Sequence, residues 1–224
     1  MNKYALVVAG GKGTRMGGEM PKQFLLLGGR PMLMHTLERF YHYDPAITLV
    51  LVLPPSHIEL WKGLCRSHHF ELPCNLVAGG EERFFSVKRG LACVPDDGDA
   101  LVAVHDGVRP FVSPEVIERC YAAARDFGAA VPVIEECDSL RHITSEGASE
   151  AVDRSLYRRV QTPQTFRASL LKKGYEQPFS PLFTDDASVV EAAGGSITLV
   201  KGNRENIKIT TPFDWEIAKM LLSC

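Results

Sequence analysis

The segment ALVVAGGKGTRMGGEMPKQF, residues 5–24, runs a short apolar strand straight into a glycine loop that carries Lys12, Arg15 and Lys22. A strand apolar on both faces reads as a buried one. A loop stripped of side chains lets a ligand approach its backbone, and its N–H groups beside cations form a cradle for an anion. Two common glycine fingerprints fail. Counted from Gly11 and Gly13, the dinucleotide pattern G-x-G-x-x-G puts its third glycine at Met16, and no Gly-Lys-Ser/Thr triplet of a P-loop occurs. What remains is GGKGTRMG after a first strand, which points to phosphate; in isolation, a turn with solvated charges is the alternative.

Outward from this loop, YALVVA (4–9), ITLVLVL (47–53), ALVAVHD (100–106) and GAAVPVI (128–134) read as buried parallel strands. Helical patterns lie between and after them, near 31–42, 56–67, 82–93 and 113–127. Ser113 is a helix N-cap with Pro114 at the first helical position, and Thr211, Pro212 and Asp214 open the last helix with a capping box. The alternation predicts an α/β fold: a doubly wound, Rossmann-like, mostly parallel sheet with helices on both faces. Ligands of such sheets bind beyond the carboxyl ends of the strands. Residues 135–160 break the rhythm, being polar with one turn signal, SEGASE. They predict a projecting β-hairpin arm with strands near 139–144 and 151–160, which needs support from outside itself, most economically a second copy of the chain. No linker or repeat divides residues 1–224, so a single domain is expected.

The formal net charge is −2, so no global basic field favours nucleic acid or an anionic membrane, and an anion site must be local. No apolar run reaches the length of a membrane span. Six scattered cysteines contain no C-x-x-C pair, which predicts reduced thiols, no Cys/His metal centre and a cytoplasmic setting.

Further motifs follow in order: GGEERFFSV (79–87), HDGVRPF (105–111), VDR (152–154), QTPQTF (161–166), TDDAS (184–188) and NIKIT (206–210). With AGGKGTRMG…PKQF they span essentially the whole chain. The set resembles the 2-C-methyl-D-erythritol 4-phosphate cytidylyltransferases of the non-mevalonate isoprenoid pathway. The resemblance implies attack by the phosphate of methylerythritol phosphate on the α-phosphorus of CTP, with pyrophosphate leaving. A phosphate monoester, with its second pKa at about 6, is already largely dianionic at neutral pH and needs no general base. Positioning and electrostatics must then supply most of the catalysis, which suits a site rich in Arg and Lys.

By resemblance, Arg15 and Lys22 stabilise the transition state at the α-phosphate, and Gly10, Gly11 and Gly13 hold the triphosphate. Lys208, alternating with Ile207 and Ile209 as on a strand, is a third catalytic cation. Asp106, ending an apolar strand, is the expected Mg2+ partner, with Arg109 beside it and His105 as a packed neighbour. Gly80, Glu81, Arg83 and Ser86 are expected around the cytosine, although Phe84 and Phe85 stand where smaller or polar residues are common. In the arm, Arg154 is expected to reach into a partner's active site and grip the acceptor phosphate. Ser139, where the family carries Thr, and Arg141 are expected nearby, with Arg158 and Arg159 as solvated charges. Thr162 is expected to contact CTP or acceptor. In TDDAS, Thr184 reads as a helix N-cap, with Asp185 and Asp186 at the positive end of the helix.

The nearest rival is a cytidylyltransferase for another polyol phosphate such as ribitol 5-phosphate. A sugar-1-phosphate nucleotidyltransferase using UTP or GTP is disfavoured by GGEERFFSV and the arm. A non-catalytic nucleotide-binding module is disfavoured by the presence of Arg15, Lys22 and Lys208.

Overall fold

The computed structural model describes residues 1–11, 20–96 and 100–223. The chain order is β1 (Asn2–Val8), β2 (Leu26–Leu27), β3 (Arg30–Pro31), α1 (Met32–Tyr43), β4 (Thr48–Leu53), α2 (Ile58–Ser67), β5 (Asn75–Ala78), α3 (Arg83–Leu91), β6 (Ala100–Asp106), α4 (Pro114–Phe127) and β7 (Ala129–Glu135). There follow β8 (Arg141–Ile143), β9 (Ser149–Ala151), β10 (Arg158–Val160), β11 (Gln164–Arg167), α5 (Ala168–Glu176), α6 (Asp186–Ala192), β12 (Thr198–Lys201) and α7 (Pro212–Leu222).

In the main sheet β5, β4, β1 and β6 lie side by side and parallel. Next to β6 comes β11, antiparallel to both β6 and β7, and β12 closes that side parallel to β7. The strands alternate two apolar faces. Ala5, Val7, Leu49, Leu51 and Ala103 meet α1 and α4 on one side, while Leu6, Val50, Val52, Val102 and Val104 meet α3, α5 and α6 on the other. Helices on both faces leave only the strand ends open. Ser113 caps α4 by accepting from the Val116 N–H, and Thr211 and Asp214 form the capping box of α7, both as the sequence predicts.

Three readings change. Lys208 lies on no strand, yet its alternation holds: Ile209 is buried, its N–H donates to Val108 O at 3.0 Å, and Lys208 is exposed. The arm is shorter than expected. β8 and β9 pair from Arg141↔Ala151 to Ile143↔Ser149, whereas residues 158–160 pair with residues 133–135 of β7 and belong to the main sheet. Opposite charges face each other there, Arg158 against Glu135. Finally, Asp185 rather than Thr184 caps α6, because its carboxylate accepts from the Ser188 N–H while Ser188 Oγ bonds back to the cap backbone.

Candidate active site

Register decides where the chemistry sits. β1 and β6 pair with Val8 opposite Asp106, so the chain leaving β1 through Gly10 and Gly11 passes beside the Asp106 carboxylate. A cavity of about 290 Å3 opens there, lined by Gly10, Gly11, Lys22, Asp106 and Lys208 on one side. Gly80, Glu81, Arg83 and Ser86 line the other. This is the crevice beyond the strand ends in which α/β sheets bind ligands.

Asp106 is the hub of the crevice. Its Oδ2 lies 3.0 Å from Lys208 Nζ and 3.3 Å from Arg109 Nε, and its Oδ1 lies 4.0 Å from Arg83 Nε. Burial pushes the carboxyl up, but the combined charges of Lys208, Arg83 and Arg109 win and hold it well below the usual carboxylate range. Three cations thus converge on one anion, Arg83 being shared with buried Asp186, while Glu81 and Glu82 also line the crevice. Arg109 is fixed by a second bond, from Nη1 to Asn206 O at 2.8 Å. Thr162 does not line the cavity. Its hydroxyl accepts from the Asp106 N–H at 3.1 Å and bonds His105 Nδ1 at 3.1 Å, so it holds the strand end from behind. His105, fully buried, also bonds Arg109 O at 3.0 Å and is the packed neighbour expected.

The PKQF turn shows why Lys22 faces the same cavity. Buried Gln23 donates from Nε2 to Ala9 O at 3.0 Å, tying the turn to the end of β1. Phe24, also buried, stacks on Trp61 with centroids 6.0 Å apart. Lys22, between these anchors and exposed Met20, is turned to the crevice.

The second glycine loop is shaped by close approach. A Cβ on Gly79 would stand 2.8 Å from Ser86 Oγ, and one on Gly80 would stand 2.4 Å from Phe85 Cβ. Ser86, on the first turn of α3, accepts from the Gly80 N–H at 3.1 Å and thereby sets the loop's curvature. Phe84 packs against Tyr175 and Phe183 at 4.7 and 5.7 Å, so the unusual aromatic pair anchors α3 from outside the crevice. Arg83 departs from a simple base contact: its guanidinium grips buried Asp186 with two bonds, of 2.9 and 2.6 Å.

Not every expected residue arrives here. Gly13 and Arg15 lie outside the described residues. Ser139 and Arg154 are exposed in the arm and do not line the cavity; Arg154 donates to Cys137 O, and Arg141 bonds Ser149 within the hairpin. Sequence reasoning gave no site role to Gln23, Asp186 or Asn206, and read Asp186 only as an acid at the positive end of a helix. Each is a buried polar residue, and their signal was a polar residue inside or beside an otherwise apolar stretch.

Among the described residues no three His, Cys, Asp or Glu side chains group as a metal centre. Asp106 is one hard carboxylate oxygen donor beside the crevice. That fits a Mg2+ that takes most of its ligands from substrate phosphates and water. A larger cavity, about 720 Å3, lies at the base of the arm, where Arg158, Lys201 and Arg204 alternate with Glu135 and Glu205. Charges are mixed in both cavities; what separates them is that the smaller crevice is bounded by the Gly10–Gly11 and Gly79–Gly80 loops, whose backbone an anion can approach closely.

Comparison with known proteins points the same way. Residues 4–224 match the family model described as IspD, 2-C-methyl-D-erythritol 4-phosphate cytidylyltransferase. The 2-C-methyl-D-erythritol 4-phosphate cytidylyltransferases of Phocaeicola vulgatus and Bacteroides thetaiotaomicron are each 55% identical over 222 residues, covering 99% of this chain and 100% of the relative. Among solved structures, the 4-diphosphocytidyl-2C-methyl-D-erythritol synthase of Anaerococcus prevotii superimposes with a TM-score of 0.83 at 27% identity, over 100% of this chain and 96% of that one. The 2-C-methyl-D-erythritol 4-phosphate cytidylyltransferase of Thermus thermophilus gives 0.77 at 32% identity, over 100% of both.

Proposed function

The chain belongs to the 2-C-methyl-D-erythritol 4-phosphate cytidylyltransferase family and carries its activity, cytidylyl transfer from CTP in isoprenoid precursor synthesis; on that premise we propose how its residues divide the work. The acceptor phosphate of 2-C-methyl-D-erythritol 4-phosphate attacks the α-phosphorus of CTP. The bond to the bridging oxygen breaks, its electron pair leaves with pyrophosphate, and the product is 4-diphosphocytidyl-2-C-methyl-D-erythritol. The observation that carries this division is the convergence of Gly10, Gly11, Lys22, Lys208, Gly80 and Ser86 on one crevice.

The backbone at Gly10 and Gly11, continued by Gly13, holds the triphosphate. Lys22 and Arg15 bear on the α-phosphoryl group, where charge builds as the leaving group departs. The Gly79–Ser86 loop, with Glu81 and Arg83 at its rim, takes the cytidine; a hydrogen-bonding edge is what separates cytosine from other bases. Lys208 balances the acceptor phosphate against the α-phosphate, with Asp106 and Arg109 fixing its place. Asp106 would hold Mg2+ together with the nucleotide's phosphates, and the ion would supply neutralisation of phosphate charge there.

The acceptor side is completed by a second copy of this chain, whose arm brings Arg154 and Ser139 to the crevice. Within one chain these residues stay outside it. The single nucleotidyltransferase domain of residues 1–224 works in the cytoplasm, where CTP is available.

The test is pyrophosphate release from CTP and Mg2+ with 2-C-methyl-D-erythritol 4-phosphate or ribitol 5-phosphate as acceptor. A strong preference for the first is expected. Preference for ribitol 5-phosphate would move the protein to another polyol phosphate, and silence with both would overturn the assignment.

A further inference from the structure

Arg83 stands at a place where a cation needs help. It is the first residue of α3, at the positive end of a helix dipole, and no acidic side chain lies in that first turn. The help comes from a distant part of the chain. Asp186, fully buried at the start of α6, takes Arg83 Nη1 on Oδ1 at 2.9 Å and Nη2 on Oδ2 at 2.6 Å. Tyr175 on α5 donates to the same Oδ1 at 2.6 Å. The fork-to-fork geometry fixes the guanidinium plane as well as its position. Of its five N–H donors, three are left for other partners, with Nε 4.0 Å from Asp106 Oδ1.

Asp186 is itself held by the sheet. Gln164 on β11 donates from Nε2 to Asp185 Oδ2 at 2.7 Å and accepts from the Ala187 N–H on Oε1 at 2.8 Å, bracketing Asp186 on both sides. Gln164 pairs with Val104 of β6, two residues before Asp106. The chain of contacts runs from the active-site strand through Gln164 to α6, from Asp186 to Arg83, and back to the crevice.

We propose that Asp186, supported by Tyr175 and Gln164, is a positioning residue for nucleotide binding: it presents the Arg83 guanidinium to the crevice beside the cytidine loop. The inference rests on the cytidylyl-transfer reading and extends it to a residue that never touches substrate. Lacking Asp186, Arg83 is free to swing towards solvent or collapse onto Asp106, and either movement disturbs the nucleotide side of the site.

The experiment is a double-mutant cycle read by calorimetric CTP binding to the full chain, with Asp186→Asn and Arg83→Gln singly and together. Asp186→Asn keeps the shape and removes the charge. It is expected to weaken CTP binding about tenfold or more, the order lost with one hydrogen bond to a charged group. In the Arg83→Gln background the same change is expected to add little. Tyr175→Phe, which removes one bond and keeps the ring against Phe84, is expected to weaken CTP binding less and in the same direction; it carries the test if Asp186→Asn does not fold. Equal effects of Asp186→Asn in both backgrounds, or unchanged CTP binding in Asp186→Asn or Tyr175→Phe, would overturn the inference while the functional reading stands. A wild-type chain that binds no CTP would overturn both.

Discussion

Lys208 Nζ lies 3.0 Å from Asp106 Oδ2, and this ion pair joins the NIKIT segment to the carboxyl end of β6. Two further bonds make the junction stiff: Asn206 Nδ2 donates to Thr162 O at 2.8 Å, and the Ile209 N–H donates to Val108 O at 3.0 Å. The residues on either side of Lys208 are thus tied to the strand end and its ammonium to Asp106, so little reorganisation would be needed if phosphate charge developed beside it.

If Lys208 acts on the transition state, Lys208→Met lowers kcat by roughly 10²–10³, the usual loss when one preorganised charge donor is removed. Its side chain is 47% exposed, so the fold survives. Steady-state kinetics with a thermal melt checks this. A variant that melts like wild type and turns over like wild type refutes the role.

His105 makes acid stability predictable. Burial lowers its pKa to about 4, outweighing the hydrogen bond to Arg109 O and the nearby Asp106 charge that raise it. Unfolded histidine titrates at about 6.5, so below that pH the unfolded chain takes up a proton that the folded chain refuses. The contribution is complete above about pH 6.5 and is lost as pH falls towards 4, by on the order of 3 kcal/mol. Urea unfolding across this window should show the decline in wild type and a flatter slope in His105→Gln. Parallel curves would contradict the assignment.

Gly79→Ala probes the proposal that the Gly79–Ser86 loop takes the cytidine. The new methyl meets Ser86 Oγ at 2.8 Å and Leu53 O at 3.4 Å, so Ser86 must leave its bond with Gly80 or the loop must move. The expected result is a KM for CTP raised about tenfold, the order lost with one hydrogen-bonding contact, with the acceptor KM nearly unchanged. An equal rise for both substrates would place the loop elsewhere in the reaction.

The arm gives a test by complementation. Lys208→Met and Arg154→Ala chains, each nearly inactive alone, are mixed and allowed to exchange. If each arm serves the other copy's crevice, half the dimers are mixed and one of their two sites is intact, so about a quarter of wild-type activity returns. No recovery, with exchange shown by mass, means that the arm serves its own chain.

The buried strands were legible because they are apolar on both faces: ALVAVHD was bounded at residues 100–106, as β6 is. β11 was hidden because Gln164 and Thr165 are polar and buried, and a pattern of hydrophobicity cannot announce a polar core residue. β12 was hidden because TLVK is short and half exposed on an edge. The crevice was legible through glycines and cations, whose chemistry is local. Its supports were not. Gln23, Asp186 and Asn206 act across 14, 103 and 44 positions of sequence, and a single chain does not show which polar residues meet at such range. Thr162 was singled out as a substrate contact, yet its hydroxyl is spent on Asp106 and His105.

The central claim is that CTP sits in the crevice between Gly10–Gly11 and Gly80–Ser86, and its most direct measurement is difference density from crystals grown with CTP and Mg2+. The account predicts cytosine beside Gly80 and Ser86 and the triphosphate over Gly10, Gly11 and Lys22, with the α-phosphate facing Lys208. Density for the nucleotide in the larger cavity between Arg158, Lys201 and Arg204 would contradict it.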